Sequence, residues 1–369
     1  MLSFIKEKTT CWEFLQRASL PIFLYGMGDG AQKILGVFED YGIAASGVFA
    51  SDEFVRGQTF AGHLVRTLAG TEQYVADSKN SSLTPQSSNL NPGFIIVLAF
   101  ASNRRDVCGK INELAKKYTL LAPDVPVAGG GLFTYDYCLK NAEKIERVYN
   151  MLADEPSRQV YADVINFKIS GKIEYLNNCT SARGEVYSGI FKLSGSEVFA
   201  DLGAYTGDTA AEFSAAVNGA YKKIYAFEPN PRNFKRLSKN LGEGEKIKLF
   251  CGAAWSEGGF LPFTNGEGRM TKVAEAGEKL VPCYALDNAV SENVTLIKLD
   301  VEGAERQAIS GAKRHIRNGA KIICALYHRN EDMFELPLLL HELNPRLKFY
   351  IRRPLYIPAW ETNLYCLEL

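Results

Sequence analysis

The eight cysteines contain no C-x-x-C pair, so the usual sequence mark of a structural zinc site is missing. A charge excess is missing too. Lys+Arg and Asp+Glu both number 42, and no long-range field draws the chain to nucleic acid or an anionic membrane. The longest apolar run, GFIIVLAFA, is too short to span a bilayer. The opening segment MLSFIKEKTTCWEF carries charges where a signal peptide needs an apolar stretch. These absences predict a cytoplasmic protein with reduced, partly buried thiols and with neither nucleic-acid nor membrane partners. What is present is a globular composition, 46% hydrophobic and 23% charged over 369 residues, long enough for two domains.

Apolar runs alternate with helical patterns along the chain. SLPIFLYGMGDGAQKILGVFEDYGIAASGVFASDE reads as strand, glycine turn, helix, strand. The polar stretch 77–93 reads as an exposed loop; FIIVLAF is then a buried strand and NRRDVCGKINELAKKY an amphipathic helix. This predicts a Rossmann-like domain over 1–132. A helical connector follows over 133–190, with Pro156 at the start of one helix, where proline is tolerated. From residue 191 the alternation restarts and runs to the end. The fold class is therefore α/β, with two Rossmann-like domains and mainly parallel sheets covered on both faces.

VFADLGAYTGDTAAEF carries the second glycine turn. A parallel sheet binds its ligand at the carboxyl ends of its strands, where Asp201, Gly203 and Gly207 fall. The two glycines permit a tight turn and a close backbone approach, and Asp208 or Thr209 is expected to cap the following helix. Glu228, at the end of YAFEPNP, is placed to accept hydrogen bonds from ribose hydroxyls. The spacing D-x-G-x-x-x-G-D-T is not the dinucleotide G-x-G-x-x-G. It suits a ligand without a pyrophosphate and with a cationic or zwitterionic end, such as S-adenosylmethionine. A plain βα turn with a capped helix is the simpler alternative.

Taken together, VFADLGAYTGDTAAEF, YAFEPNPRNFKRL, GAAWSEGG, LIKLDVEGAERQAISGAKRHI and ICALYHRNEDMFELPLLLHEL resemble, in order, the FkbM family of S-adenosylmethionine-dependent methyltransferases over about residues 185–369. The resemblance implies a class I methyltransferase fold, a seven-stranded sheet whose last strand is antiparallel. It implies that Asp201, Gly203, Ala204, Gly207 and Asp208 surround the methionine part, that Glu228 holds the ribose, and that Asn230 lies beside ribose or adenine; Tyr205 and Thr209, in the same turn, are further candidates for cofactor binding. One departure concerns the third strand, where an acidic residue often meets the adenine amine. Here CGAAWSEGG leaves Ala253 with only backbone to offer.

Methyl transfer to oxygen requires donor and acceptor held in line and a base for the hydroxyl proton. KLDVEGAE offers Asp300 at a strand end, then Glu302 and Glu305, which share a face if the helix has begun. These acids have three readings: helix-start carboxylates stabilised by the dipole, an acceptor-positioning or proton-accepting Asp300, or ligands of a divalent metal. His328 in ALYHRNED, at the next strand end, is the second candidate base. His63, His315 and His341 read as structural, and Tyr187 as a cover for the cofactor. The stretch from Trp255 to Val281 is expected to shape the acceptor pocket.

The expected activity is thus O-methylation of a sugar or other small hydroxylated acceptor, free or as part of a glycan. Two alternatives stay open. The first glycine turn, Gly26, Gly28 and Gly30 with Asp52 after the next strand, suits an NAD-dependent oxidoreductase or epimerase, or a nucleotide-sugar site. A non-catalytic nucleotide-binding protein could also keep this fold.

Overall fold

The computed structural model describes residues 2–80, 93–264, 272–273 and 279–368. The first sheet holds β1 (Ile22–Tyr25), β2 (Gly47–Phe49), β3 (Thr59–Phe60), β4 (His63–Arg66), β5 (Ile95–Leu98) and β6 (Thr119–Leu121) in the order β3-β4-β2-β1-β5-β6. The β3–β4 pair is antiparallel and the other pairs parallel. The buried runs of β1 and β5 have no polar alternation because both faces of a parallel sheet are covered. The loop expected over 77–93 starts later than its composition suggests. Helix Leu68–Asn80 takes its first residues, held by one-turn bonds from Gln73 to Asp77 and from Ser78 to the Tyr74 carbonyl. The rest, 81–92, lies outside the described residues.

Four helices follow: Tyr135–Lys140, Ala142–Met151, Glu155–Ser170 and Ile173–Asn178. Asp154 caps the third by accepting from Ser157 N, with Pro156 in its first turn. That helix is buried along most of its length. Val160, Val164 and Phe167 join one hydrophobic cluster that runs from Phe23 and Ile96 of the first sheet to Leu326 and Phe349 of the second unit. Lys168 on the same helix pairs with Asp124 at 2.5 Å in a buried position.

The second unit contains β7 (Val198–Leu202), β8 (Lys223–Phe227), β9 (Ile247–Phe250), β10 (Ala253–Ala254), β11 (Gly259–Thr264), β12 (Lys272–Val273), β13 (Lys279–Tyr284), β14 (Leu296–Leu299), β15 (Lys321–Ala325), β16 (Leu347–Arg352) and β17 (Asn363–Glu368). Seven strands make the main sheet in the order β16-β17-β15-β14-β7-β8-β9. β17 runs antiparallel to both its neighbours, and the remaining pairs are parallel.

Two sequence expectations change here. KIKLFCGAAW is not one strand. It breaks at Gly252, where a Cβ would sit 2.5 Å from the Pro282 carbonyl, and its end pairs with β13 in a separate four-stranded sheet, β10-β13-β11-β12. AERQAISGAKRHIRNG is likewise two helices, Glu305–Ser310 and Lys313–Arg317. The break is at Gly311, which passes so close to Trp255 that a Cβ would lie 1.9 Å from that residue's carbonyl oxygen. No disulfide joins the eight cysteines; seven are buried and Cys251 is exposed. No helix among the described residues is long and apolar enough to cross a membrane.

Candidate active site

The carboxyl ends of β7, β8, β14 and β15 open onto a cavity of about 840 Å³. The turn after β7 is shaped by close approach. Gly203 has φ +89°, and a Cβ there would lie 1.9 Å from the Asp300 carbonyl oxygen. Side chains are thus excluded at the point where β7 and β14 release their loops. Gly203→Ala is therefore expected to distort this turn, read as a lowered melting temperature. Gly28→Ala in the first turn, where nothing lies within 4 Å of the added carbon, should cost about 1 kcal/mol or less.

The cavity wall includes Gly203, Tyr205, Asp208, Thr209, Glu228, Asn230, Ala253, Asp300 and Glu302. Tyr187 also lies on it, in the π-helical turn Val186–Ile190. Asp201, Ala204, Gly207 and His328 stand behind the wall, all four buried. Neither Asp208 nor Thr209 caps its helix. The N-cap is Gly207, in the left-handed region with no side-chain cap, and Asp208 is already the first helical residue. Asn230 spends its side-chain oxygen capping helix Pro231–Leu241 through the amides of Arg232 and Asn233.

Glu228 is almost fully buried, 5% exposed. Its two oxygens accept from the backbone amides of Tyr205 and Asn230, each at 2.9 Å. The Asn233 side chain also donates toward it, and a carboxylate has about four acceptor positions, so acceptor capacity remains. Burial pushes its pKa up to about 7, against the pull of those two amides.

Lys298 was not singled out from the sequence, yet it organises the centre of the site. Its Nζ lies 2.8 Å from the Gly203 carbonyl oxygen, 3.3 Å from Asp201 Oδ1 and 3.4 Å from Asp300 Oδ2. Burial would lower the pKa of this ammonium, but Asp201 and Asp300 raise it above the ordinary lysine value. Asp201 therefore faces an ammonium of the protein itself and does not reach the cavity. Its carboxyl is raised by complete burial, partly offset by Lys298. Asp300 is held low despite burial, chiefly by Lys298 and His328, and accepts a hydrogen bond from the Tyr327 hydroxyl at 2.9 Å.

His328 is 1% exposed. Its Nδ1 is 2.9 Å from Glu305 Oε1, and its Nε2 is 3.5 Å from Asp300 Oδ1 and 3.7 Å from Glu302 Oε2. Burial would lower the imidazole pKa, but Glu305, then Asp300 and Glu302, lift it to about 9. With no cation bound beside it, the surrounding carboxylates favour the protonated ring over the free base sought at this strand end. Glu302 and Glu305 do not share a helix face. Glu302 has φ +55° and Gly303 φ +95°, and the helix starts only at Glu305. Glu305 folds back instead, its Oε1 accepting from Val301 N and Gly303 N.

The first unit contributes part of the cavity wall. Asn103, Ala128 and Gly129 reach the wall, and Ala128 N donates to the His328 carbonyl oxygen. Arg329 joins them, its Nε donating to the Gly303 carbonyl oxygen at 2.8 Å. Of the Trp255–Val281 stretch, Trp255 lies on the wall; residues 265–271 and 274–278 lie outside the described residues. At the first glycine turn, Gly30 lacks a side chain because Ala99 is in the way, its carbonyl oxygen 2.7 Å from where a Cβ would be. Asp52 is exposed, at the start of a short 3-10 turn.

The order of the main sheet, with its single reversed strand next to the edge and a carboxylate at the end of the second strand, defines a class I methyltransferase fold. Residues 201–347 match the model of the methyltransferase FkbM domain. The crystal structure of methyltransferase FkbM from Methylobacillus flagellatus KT has a similar fold, with a TM-score of 0.69 at 17% identity, over 94% of this chain and 90% of that one. The hexuronic acid methyltransferase AglP of Haloferax volcanii is 28% identical over 154 residues, which make up 40% of this chain and 62% of that protein. The chain thus spans less than two thirds of that relative's length.

Proposed function

We propose that this protein transfers a methyl group from S-adenosylmethionine to a hydroxyl of a sugar, with an acidic sugar such as a hexuronic acid the preferred acceptor. One observation carries this reading: a single cavity runs from Glu228, which has acceptor positions to spare, past Asp300 to Arg329. The donor supplies an electrophilic methyl on a sulfonium. Glu228 accepts from the ribose hydroxyls, and the turn Gly203–Thr209 surrounds the methionine end, with Asp201, Ala204 and Gly207 supporting it from behind. Ala253 and Asn230 border the adenine side. Asp300 faces the acceptor and takes up or orients its hydroxyl proton. His328 acts through Asp300, and Glu302 closes the same corner. The Arg329 guanidinium supplies a planar donor pair that suits a carboxylate. The name of the Haloferax relative is consistent with that choice.

The units proposed are 1–132, 133–190 and 191–369, the first acting as a wall of the acceptor site. An NAD-dependent oxidoreductase or epimerase remains the second reading, since the tight helix–strand packing at Gly30 is a role that dinucleotide folds also give a glycine. The test is turnover with free hexuronic acids and neutral hexoses, followed as S-adenosylhomocysteine release. Asp300→Asn should lower kcat about 100-fold or more while S-adenosylhomocysteine still binds. Arg329→Leu should raise KM for the uronic acid alone. Clear NAD binding without S-adenosylhomocysteine binding would sink the proposal.

A further inference from the structure

Behind Asp300 lies a group of side chains that methyl transfer by positioning alone does not call for. Asp300, Glu305 and His328 each present a ligand atom within 4.8 Å of the others. Four carboxylates, Asp201, Asp300, Glu302 and Glu305, crowd this corner. Lys298 lies within ion-pair distance of Asp201 and Asp300, and His328 within ion-pair distance of Asp300, Glu302 and Glu305.

A second observation is independent of the acid count. Glu305 and His328 are both 1% exposed, yet Glu305 Oε2 and His328 Nδ1 have no hydrogen-bond partner of acceptable geometry. The approach of Nδ1 to Glu305 Oε1 at 2.9 Å is close but misaligned for a hydrogen bond. Buried polar atoms left in this state are costly unless something satisfies them.

We propose that Asp300, Glu305 and His328 hold a divalent cation at the cavity wall. One imidazole and two carboxylates make a mixed nitrogen–oxygen set that suits Mn²⁺ or Fe²⁺ better than a soft thiophilic ion. Three protein ligands leave coordination positions open, and Asp300, 30% exposed on its side chain, places them on the side from which an acceptor arrives. A cation there lowers the pKa of a coordinated hydroxyl, which gives the acceptor side a means of activation that does not require His328 to be a free base.

The test is calorimetric titration of the EDTA-stripped full-length chain with MnCl₂, with S-adenosylhomocysteine binding as the separate check that chain and donor site are intact. One Mn²⁺ per chain is expected, weakened more than about 100-fold in Asp300→Asn and in His328→Gln while S-adenosylhomocysteine still binds. An electron paramagnetic resonance titration of free Mn²⁺ gives the same count without relying on activity. If the stripped wild type binds S-adenosylhomocysteine but not Mn²⁺, or if Mn²⁺ binding is unchanged in both variants, the cation site is overturned and the methyltransferase reading stands.

Discussion

Lys298→Met is expected to destabilise the protein by about 3–5 kcal/mol, the range found when one partner of a buried ion pair is removed. The lysine's three donor positions are matched by the Gly203 carbonyl oxygen, Asp201 and Asp300. Asp201 is the partner with no alternative. It has no solvent exposure, and neither of its oxygens has a hydrogen bond of good geometry. Without the ammonium, its carboxylate is desolvated and unpaired, and it must take up a proton or recruit water. At about 2–4 °C per kcal/mol for a chain section of this size, the melting temperature should fall by roughly 10 °C.

Two controls separate charge compensation from simple loss of packing. Asp201→Asn on top of Lys298→Met removes the orphaned charge, so the double variant should be more stable than Lys298→Met alone, a coupling that additive packing losses cannot produce. The deficit of Lys298→Met should also be smaller at pH 5 than at pH 8, because the unpaired Asp201 carboxyl takes up a proton in the folded variant, and that uptake costs less as the pH falls toward the unfolded value of 3.8. Urea denaturation of the full-length chain at pH 5 and pH 8 reads both effects. A Lys298→Met chain within 1 kcal/mol of wild type at pH 8 would show that Asp201 is already neutral in the native protein.

The signal for Lys298 was present in the sequence. In TLIKLD a lysine interrupts an otherwise apolar strand two residues before Asp300, and alternation puts those two side chains on the same face. A lysine in a strand covered on both faces has to meet a carboxylate, and Asp201 on the neighbouring strand was already in view. The parallel alternation, the glycine turn and Glu228 were legible because each rests on local rules of period and spacing. His328 was legible as a strand-end residue, but its protonation was not, because that depends on Glu305 and on Glu302 in a left-handed turn that a helical reading of VEGAE hides. The four-stranded side sheet was missed for a similar reason. Its strands flank a stretch with no short hairpin signal, and its register is set by contacts such as that of Gly252 with β13. The wall contributed by Asn103, Ala128 and Gly129 is long-range packing, which composition and periodicity do not encode.

Glu228→Gln is expected to weaken S-adenosylhomocysteine binding about 10- to 100-fold, because a hydrogen bond to a charged group is worth about 1.5–3 kcal/mol and two ribose hydroxyls are proposed to share this carboxylate. The variant keeps one oxygen for the amides of Tyr205 and Asn230, so the turn should survive while the donor contact suffers. The pH dependence tests this more sharply. Glu228 has an ordinary value of 4.5 and is raised to about 7 in the folded protein, mainly by burial. The folded state therefore holds the proton more tightly than the unfolded one. The stability this supplies is fully present below about pH 4.5, is lost progressively as the pH rises, and is gone above about pH 7. Donor affinity runs the opposite way, since only the ionised carboxylate can accept from both hydroxyls. Wild type should bind S-adenosylhomocysteine more tightly as the pH rises through about 7 while its melting temperature falls relative to that of Glu228→Gln. The variant should show neither slope from this group. Calorimetric titrations and thermal scans of both proteins between pH 5 and pH 8 would reveal it, and a wild-type affinity flat across that range would place the ribose elsewhere in the cavity.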